Sequence, residues 1–168
     1  MVNFVLLGYA CGFTLATASA AWLAPRLTGG LATFACLLTA ADCVSRSVSL
    51  VRNANLRAKS TVQSATGIKE IKVAEISQGF TAGAFNLREF FHGKSPGTLR
   101  RVKWAFLVGA FAMPFTLIAL GANVRSSSLS MTLLCAACTV QYVGLLAERW
   151  FFSAQAPHPQ NLYYASVS

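Results

Sequence analysis

The feature that most constrains this chain is a set of apolar runs about as long as a bilayer is thick. A helix needs about 20 predominantly apolar residues to cross the hydrocarbon core. Residues 4–23 and 104–122 carry no charge at all, and 129–147 is uncharged up to Glu148 and Arg149. A further run, 31–51, is apolar as far as Ala41 and then meets Asp42 and Arg46. These four runs predict an all-α integral membrane protein with four transmembrane helices.

The links between the runs predict how the helices pair. Runs one and two are joined by residues 25–30, and runs three and four by residues 123–128. Short links make antiparallel neighbours, so the prediction is two helical hairpins. Between the hairpins lies a long loop, 52–103, and the whole of 1–168 is read as a single membrane domain. The first run is read as a retained span: no basic residue precedes it, and it is longer than a signal-peptide core, although Ala18-Ser19-Ala20 resembles a cleavage site.

Composition adds a topology. Charged residues make up 11% of the chain, against roughly 25% in soluble domains. The net charge is nevertheless +9, and ten of the fourteen Lys and Arg residues fall within 52–103. Concentrated basic charge in one loop is the positive-inside signal. It predicts a cytoplasmic loop, with both termini on the same side and both short turns outside. Headgroup contacts of the lipid bilayer account for the charge more simply than nucleic acid does, so no nucleic-acid partner is expected.

Few residues offer chemistry. Asp42 and Arg46 are four apart, share a helix face, and can pair. A lone charge there costs about 2.5–3.5 kcal/mol on insertion scales. Either the pair relays protons or contacts a quinone, or Arg46 reaches the headgroups while Asp42 neutralises it. Glu148, at the end of the last run, joins them as a quinone or proton-relay candidate. Pro114 should kink the third helix. Cys135 and Cys138 are three apart but lack the four ligands of a closed metal site, so no metal site is expected. His92 and His158 both lie outside the spans, which leaves no bis-histidine haem within the bilayer. No catalytic residues are identified. Gly8, Gly12, Ala16 and Ala20 form a small-residue face, suited either to another membrane subunit or to this chain's own bundle.

In the loop, Phe80, Ala84, Leu87 and Phe91 recur at helical spacing and predict an interfacial amphipathic helix. Phe85, Arg88, Glu89, His92, Arg100 and Arg101 are its partner-docking candidates, with lipid contact as the alternative.

Three stretches carry a family resemblance. The first is Ser60-Thr61-Val62-Gln63-Ser64-Ala65-Thr66-Gly67-Ile68. The second is Phe85-Asn86-Leu87-Arg88-Glu89-Phe90 with the basic run Leu99-Arg100-Arg101-Val102-Lys103. The third is Gly144-Leu145-Leu146-Ala147-Glu148-Arg149-Trp150-Phe151-Phe152, continuing to His158-Pro159-Gln160-Asn161-Leu162-Tyr163-Tyr164. Together they resemble the carboxy-terminal half of the dimethyl-sulfoxide-reductase membrane-anchor family, including the branch of quinone-linked sulfite dehydrogenase anchors. The resemblance implies an anchor that holds no redox cofactor itself and exchanges electrons with quinone or quinol. It implies partners as well: an iron–sulfur subunit and a molybdopterin catalytic subunit. Family members are usually about twice as long, with their quinol-site His and acidic residue in the other half. No position here inherits those roles, and a second membrane chain supplying four further spans is an expected partner. Without the resemblance, half of a small oligomeric transporter with Asp42 as coupling site, or a non-catalytic assembly subunit, would also suit these residues.

Overall fold

A computed structural model describes residues 2–55, 67 and 95–155. Among these residues all regular structure is helical. The elements are α1 (Val2–Leu23), α2 (Pro25–Ala54), α3 (Pro96–Leu107), a π-helical segment (Val108–Ala112), α4 (Met113–Asn123) and α5 (Ser127–Gln155). Because α3, the π segment and α4 run on without interruption, four spans are long and apolar enough to cross a membrane. This is a multi-pass membrane protein.

The boundaries differ from the sequence expectation. Residues 25–30 are not a turn but the first turns of α2, and the reversal is confined to Ala24 (φ −149°, ψ 70°). Proline fits the first helical position because the N–H it lacks has no intrahelical acceptor there. The second turn shortens likewise, to residues 124–126. The basic run Arg100, Arg101 and Lys103 belongs to α3 rather than to a loop. That helix starts at Ser95, whose hydroxyl accepts from the Thr98 N–H at 3.3 Å. The last helix does not stop at Glu148 but continues to Gln155. The amphipathic stretch over residues 80–91, with Phe85, Arg88, Glu89 and the adjoining His92, lies outside the described residues.

Pro114 leaves its mark one turn earlier. It cannot donate to the carbonyl four residues back, and the helix accommodates this by widening into the π segment Val108–Ala112. What Pro114 is seen to produce is a π-bulge.

The spans pack as a ring. α1 lies against α2 and α5, and the third span (α3, π segment and α4) lies against α2 and α5. Thus α2 and α5 face each other diagonally across the centre. Each contributes a core face at alternating spacings of three and four, as helices in left-handed bundles do. On α5 these positions are Leu134, Ala137, Gln141, Gly144, Glu148 and Phe151; on α2 they include Ala32, Ala35, Thr39, Asp42 and Arg46. Toward the two turns the core is apolar, built on Ala18, Ala35, Ile118 and Leu134. At the opposite end Leu50, Phe106 and Phe151 close it. The outer surface is lined by large apolar side chains such as Trp22, Phe34, Leu37 and Tyr142, as contact with lipid requires.

The tightest contact is backbone against backbone. At Gly144 an added Cβ would lie 2.4 Å from the Ala110 nitrogen and 2.5 Å from the Gly109 carbonyl carbon. Absence of a side chain is what lets α5 touch the π segment. Gly8 and Gly12 are exposed instead, with nothing within 4 Å of an added Cβ. These two members of the small-residue face do not serve this chain's own packing.

Candidate functional site

Five polar residues occupy core positions where α2 and α5 face each other: Thr39, Asp42, Arg46, Gln141 and Glu148. None is more than 3% exposed. Helices in contact run about 8–10 Å apart, so a diagonal partner is farther away and only long side chains span the gap. Arg46 and Glu148 do so, with Nε 2.8 Å from Oε1. Gln141 does so as well, donating from Nε2 to the Thr39 hydroxyl at 3.2 Å.

Sequence spacing put Asp42 with Arg46; the structure puts Arg46 with Glu148. The reason is helix geometry. Side chains four apart on α2 both point to the bundle centre, but there Arg46 meets the carboxylate of the facing helix. Glu148 is shared, for its other oxygen lies 3.2 Å from Arg149 Nε. Two rings flank the Arg46 guanidinium, Phe106 at 5.8 Å and Phe152 at 5.6 Å. Cation–π attraction of this kind offsets part of the lost hydration.

Asp42 is one turn, about 6 Å, deeper along α2 than Arg46. Both of its carboxylate oxygens are buried without a hydrogen-bond partner, as are Arg46 Nη2 and Gln141 Oε1. Buried polar atoms are normally paired, and a cluster with so many open donors and acceptors marks a place suited to water, protons or a polar ligand. A neutral Asp42 would supply a proton donor, a charged one an acceptor. Either form sits within an apolar shell with both carboxyl oxygens open.

Two cavities flank α2. One, of about 660 Å³, lies between α2 and the third span; Thr39, Cys43, Ser47, Trp104, Leu107 and Phe111 are among its walls. The other, of about 890 Å³, lies between α1, α2 and α5 and reaches Arg46 and Glu148.

Of the sequence candidates, Asp42, Arg46 and Glu148 come together. Arg100 and Arg101 are exposed on α3, away from that cluster. Thr39 and Gln141 were not anticipated. The signal for Gln141 is its register: it is seven residues from both Leu134 and Glu148, on one core face.

Fold and cluster together define a class, a four-span membrane bundle with a charged core. Over 166 residues, 99% of its length, the chain is 46% identical to a subunit of the sulfite dehydrogenase of Allochromatium vinosum. It spans about half, 50%, of the length of that curated relative. No family model matches the sequence. No solved structure matches it significantly either.

Proposed function

We propose that this chain is a membrane-anchor subunit of an oxidoreductase complex, docking an iron–sulfur subunit and supporting electron exchange with the quinone pool. The observation that carries this reading is the 46% identity to a sulfite dehydrogenase subunit along nearly the whole chain. A molybdopterin catalytic subunit would perform the substrate chemistry, with sulfite as the substrate class. Oxidising sulfite with water to sulfate yields two electrons and two protons, and reducing a quinone to quinol consumes two of each. The electrons belong to the partners' clusters. The protons for the quinone must come through protein, and Asp42 with Glu148 supplies buried carboxylates for that task.

The apolar cavity beside Thr39 and Trp104 suits a quinone ring and its hydrocarbon tail. Arg100 and Arg101, exposed on α3, join Phe85, Arg88, Glu89 and His92 as the surface for the iron–sulfur subunit. The positive-inside asymmetry supports a cytoplasmic side for that surface, in a bacterial inner membrane. The relative is twice as long as this chain, which supports four further spans in the assembly, packed where Gly8 and Gly12 lie open.

The experiment is affinity purification of the tagged chain from its own membranes, followed by sulfite-dependent quinone reduction. Iron–sulfur and molybdopterin proteins should co-purify. Asp42→Asn should keep them bound while lowering quinone-linked turnover by about a hundred-fold, the scale of a lost acid–base group. Isolation of the chain without redox subunits, or full turnover in D42N, would refute the reading.

A further inference from the structure

The cavity between α1, α2 and α5 carries more positive than negative charge. Its floor and walls carry three guanidinium groups, Arg46, Arg52 and Arg149, and one carboxylate, Glu148. Even with Asp42 added from the turn below, one positive charge is left over. We infer that this cavity is a binding site for the phosphodiester headgroup of an anionic phospholipid.

Four observations converge on that ligand. Arg46 is 3% exposed, lines the cavity, and has a buried Nη2 with no partner. A buried, unpaired guanidinium nitrogen at a cavity is a donor awaiting an anion. Arg149 is held in place before any ligand arrives, with its guanidinium 4.4 Å from the centre of the Phe4 ring. Arg52 is exposed at the rim, near the end of α2. Neutral donors complete the wall: Asn3 donates to the Ser49 hydroxyl at 2.8 Å and accepts from Ser45, which fixes the start of α1 against α2.

The surroundings select a lipid over a free anion. Val5, Val48 and Phe152 border the same cavity and are 50%, 63% and 53% exposed on the membrane-facing surface. An amphiphile can therefore set its phosphate among the arginines and lay its acyl chains along these side chains. The cavity also lies at the end of the bundle from which the basic 52–103 segment leaves. By the positive-inside asymmetry that end faces the leaflet where anionic lipids attract juxtamembrane arginines.

The test is native mass spectrometry of the full chain in a zwitterionic detergent, titrated with phosphatidylglycerol, phosphatidylcholine or inorganic phosphate. One phosphatidylglycerol should stay bound at a collision energy that strips phosphatidylcholine. Each arginine contributes about five-fold in affinity at an anionic surface. Arg52→Gln should then weaken phosphatidylglycerol binding about five-fold, and R52Q with R149Q about twenty-five-fold. R52Q alters only an exposed rim residue, so its result stands even if the double variant fails to fold. Equal retention of both lipids, or unchanged binding in R52Q, would overturn the proposal. Displacement of the lipid by millimolar phosphate would overturn it in favour of a free anion, and displacement by a short-chain quinone in favour of a quinone site.

Discussion

Replacing Gly144 with alanine should be among the costliest single methyl additions in this protein. The new Cβ would lie 2.4, 2.5 and 2.6 Å from three backbone atoms of Gly109 and Ala110. Ordinary contact begins near 3.4 Å, so α5 and the π segment must separate by about 1 Å. No rotamer change relieves this, because every opposing atom is main chain. Overpacking of well-packed sites costs about 1–3 kcal/mol, and a rigid backbone wall puts G144A near the upper value. Separation would also loosen Phe106 from Phe151, whose rings lie 5.0 Å apart, two turns from Gly144 along α5. The chain supplies its own control in Gly8 and Gly12, where an added Cβ meets nothing within 4 Å. G8A and G12A should stay within about 0.5 kcal/mol of the parent. Reversible unfolding of the purified chain in mixed micelles, followed by tryptophan fluorescence, measures all three. A G144A protein as stable as the parent would refute the close approach of these helices. Equal losses in G8A and G144A would refute the assignment of which glycine face is inside.

Two further outcomes follow from the core and from the start of α3. Arg46→Leu should cost about 3–5 kcal/mol, because it strands Glu148 in the core with only Arg149 beside it. The Arg46→Leu, Glu148→Leu double variant should cost less than the two single losses added together. A double-mutant cycle by the same unfolding assay checks this, and additivity would exclude the pair. Ser95→Ala removes the oxygen that accepts from the Thr98 N–H and should cost about 1 kcal/mol locally. Amide exchange at Thr98 and Leu99 should speed up while the spans are unaffected; exchange at the parental rate would refute the cap.

The spans were legible because length and apolarity are composition properties, which no tertiary contact can hide. Their ends were not. Pro25 reads as a stop from one side and as a first helical residue from the other, and only the chain's reversal at Ala24 decides. Glu148 and Arg149 read as the water's edge because the sequence does not show Arg46 beside them; once paired, they let α5 continue to Gln155. Asp42–Arg46 was the local reading of charge, since spacing of four is all that one helix reveals. The Arg46 partner, Glu148, lies 102 residues further along the chain, on the diagonal helix. Gly8 and Gly12 fit either of two faces on paper, and only the register of Leu7, Ala10 and Thr14 turns them outward.

The diagonal placement has a consequence for how the two hairpins assemble. Each hairpin has its own internal contact, α1 against α2 and α4 against α5. Neither alone satisfies its polar core residues: Arg46 and Thr39 sit on the first hairpin, Glu148 and Gln141 on the second. In lipid, apolar faces gain little from meeting each other, since the tails are as apolar as leucine. What distinguishes the native docking from a slipped one is then the match of these two polar pairs. A slip of one turn, about 5.4 Å, would leave Arg46 and Glu148 unpaired together, at several kcal/mol. The unpartnered oxygens of Asp42 are not part of that match. They sit one turn below a pair that already fixes the register, so the fold has no need of this carboxylate. That separation is why Asp42→Asn, unlike the loss of Arg46 or Glu148, should leave the bundle intact.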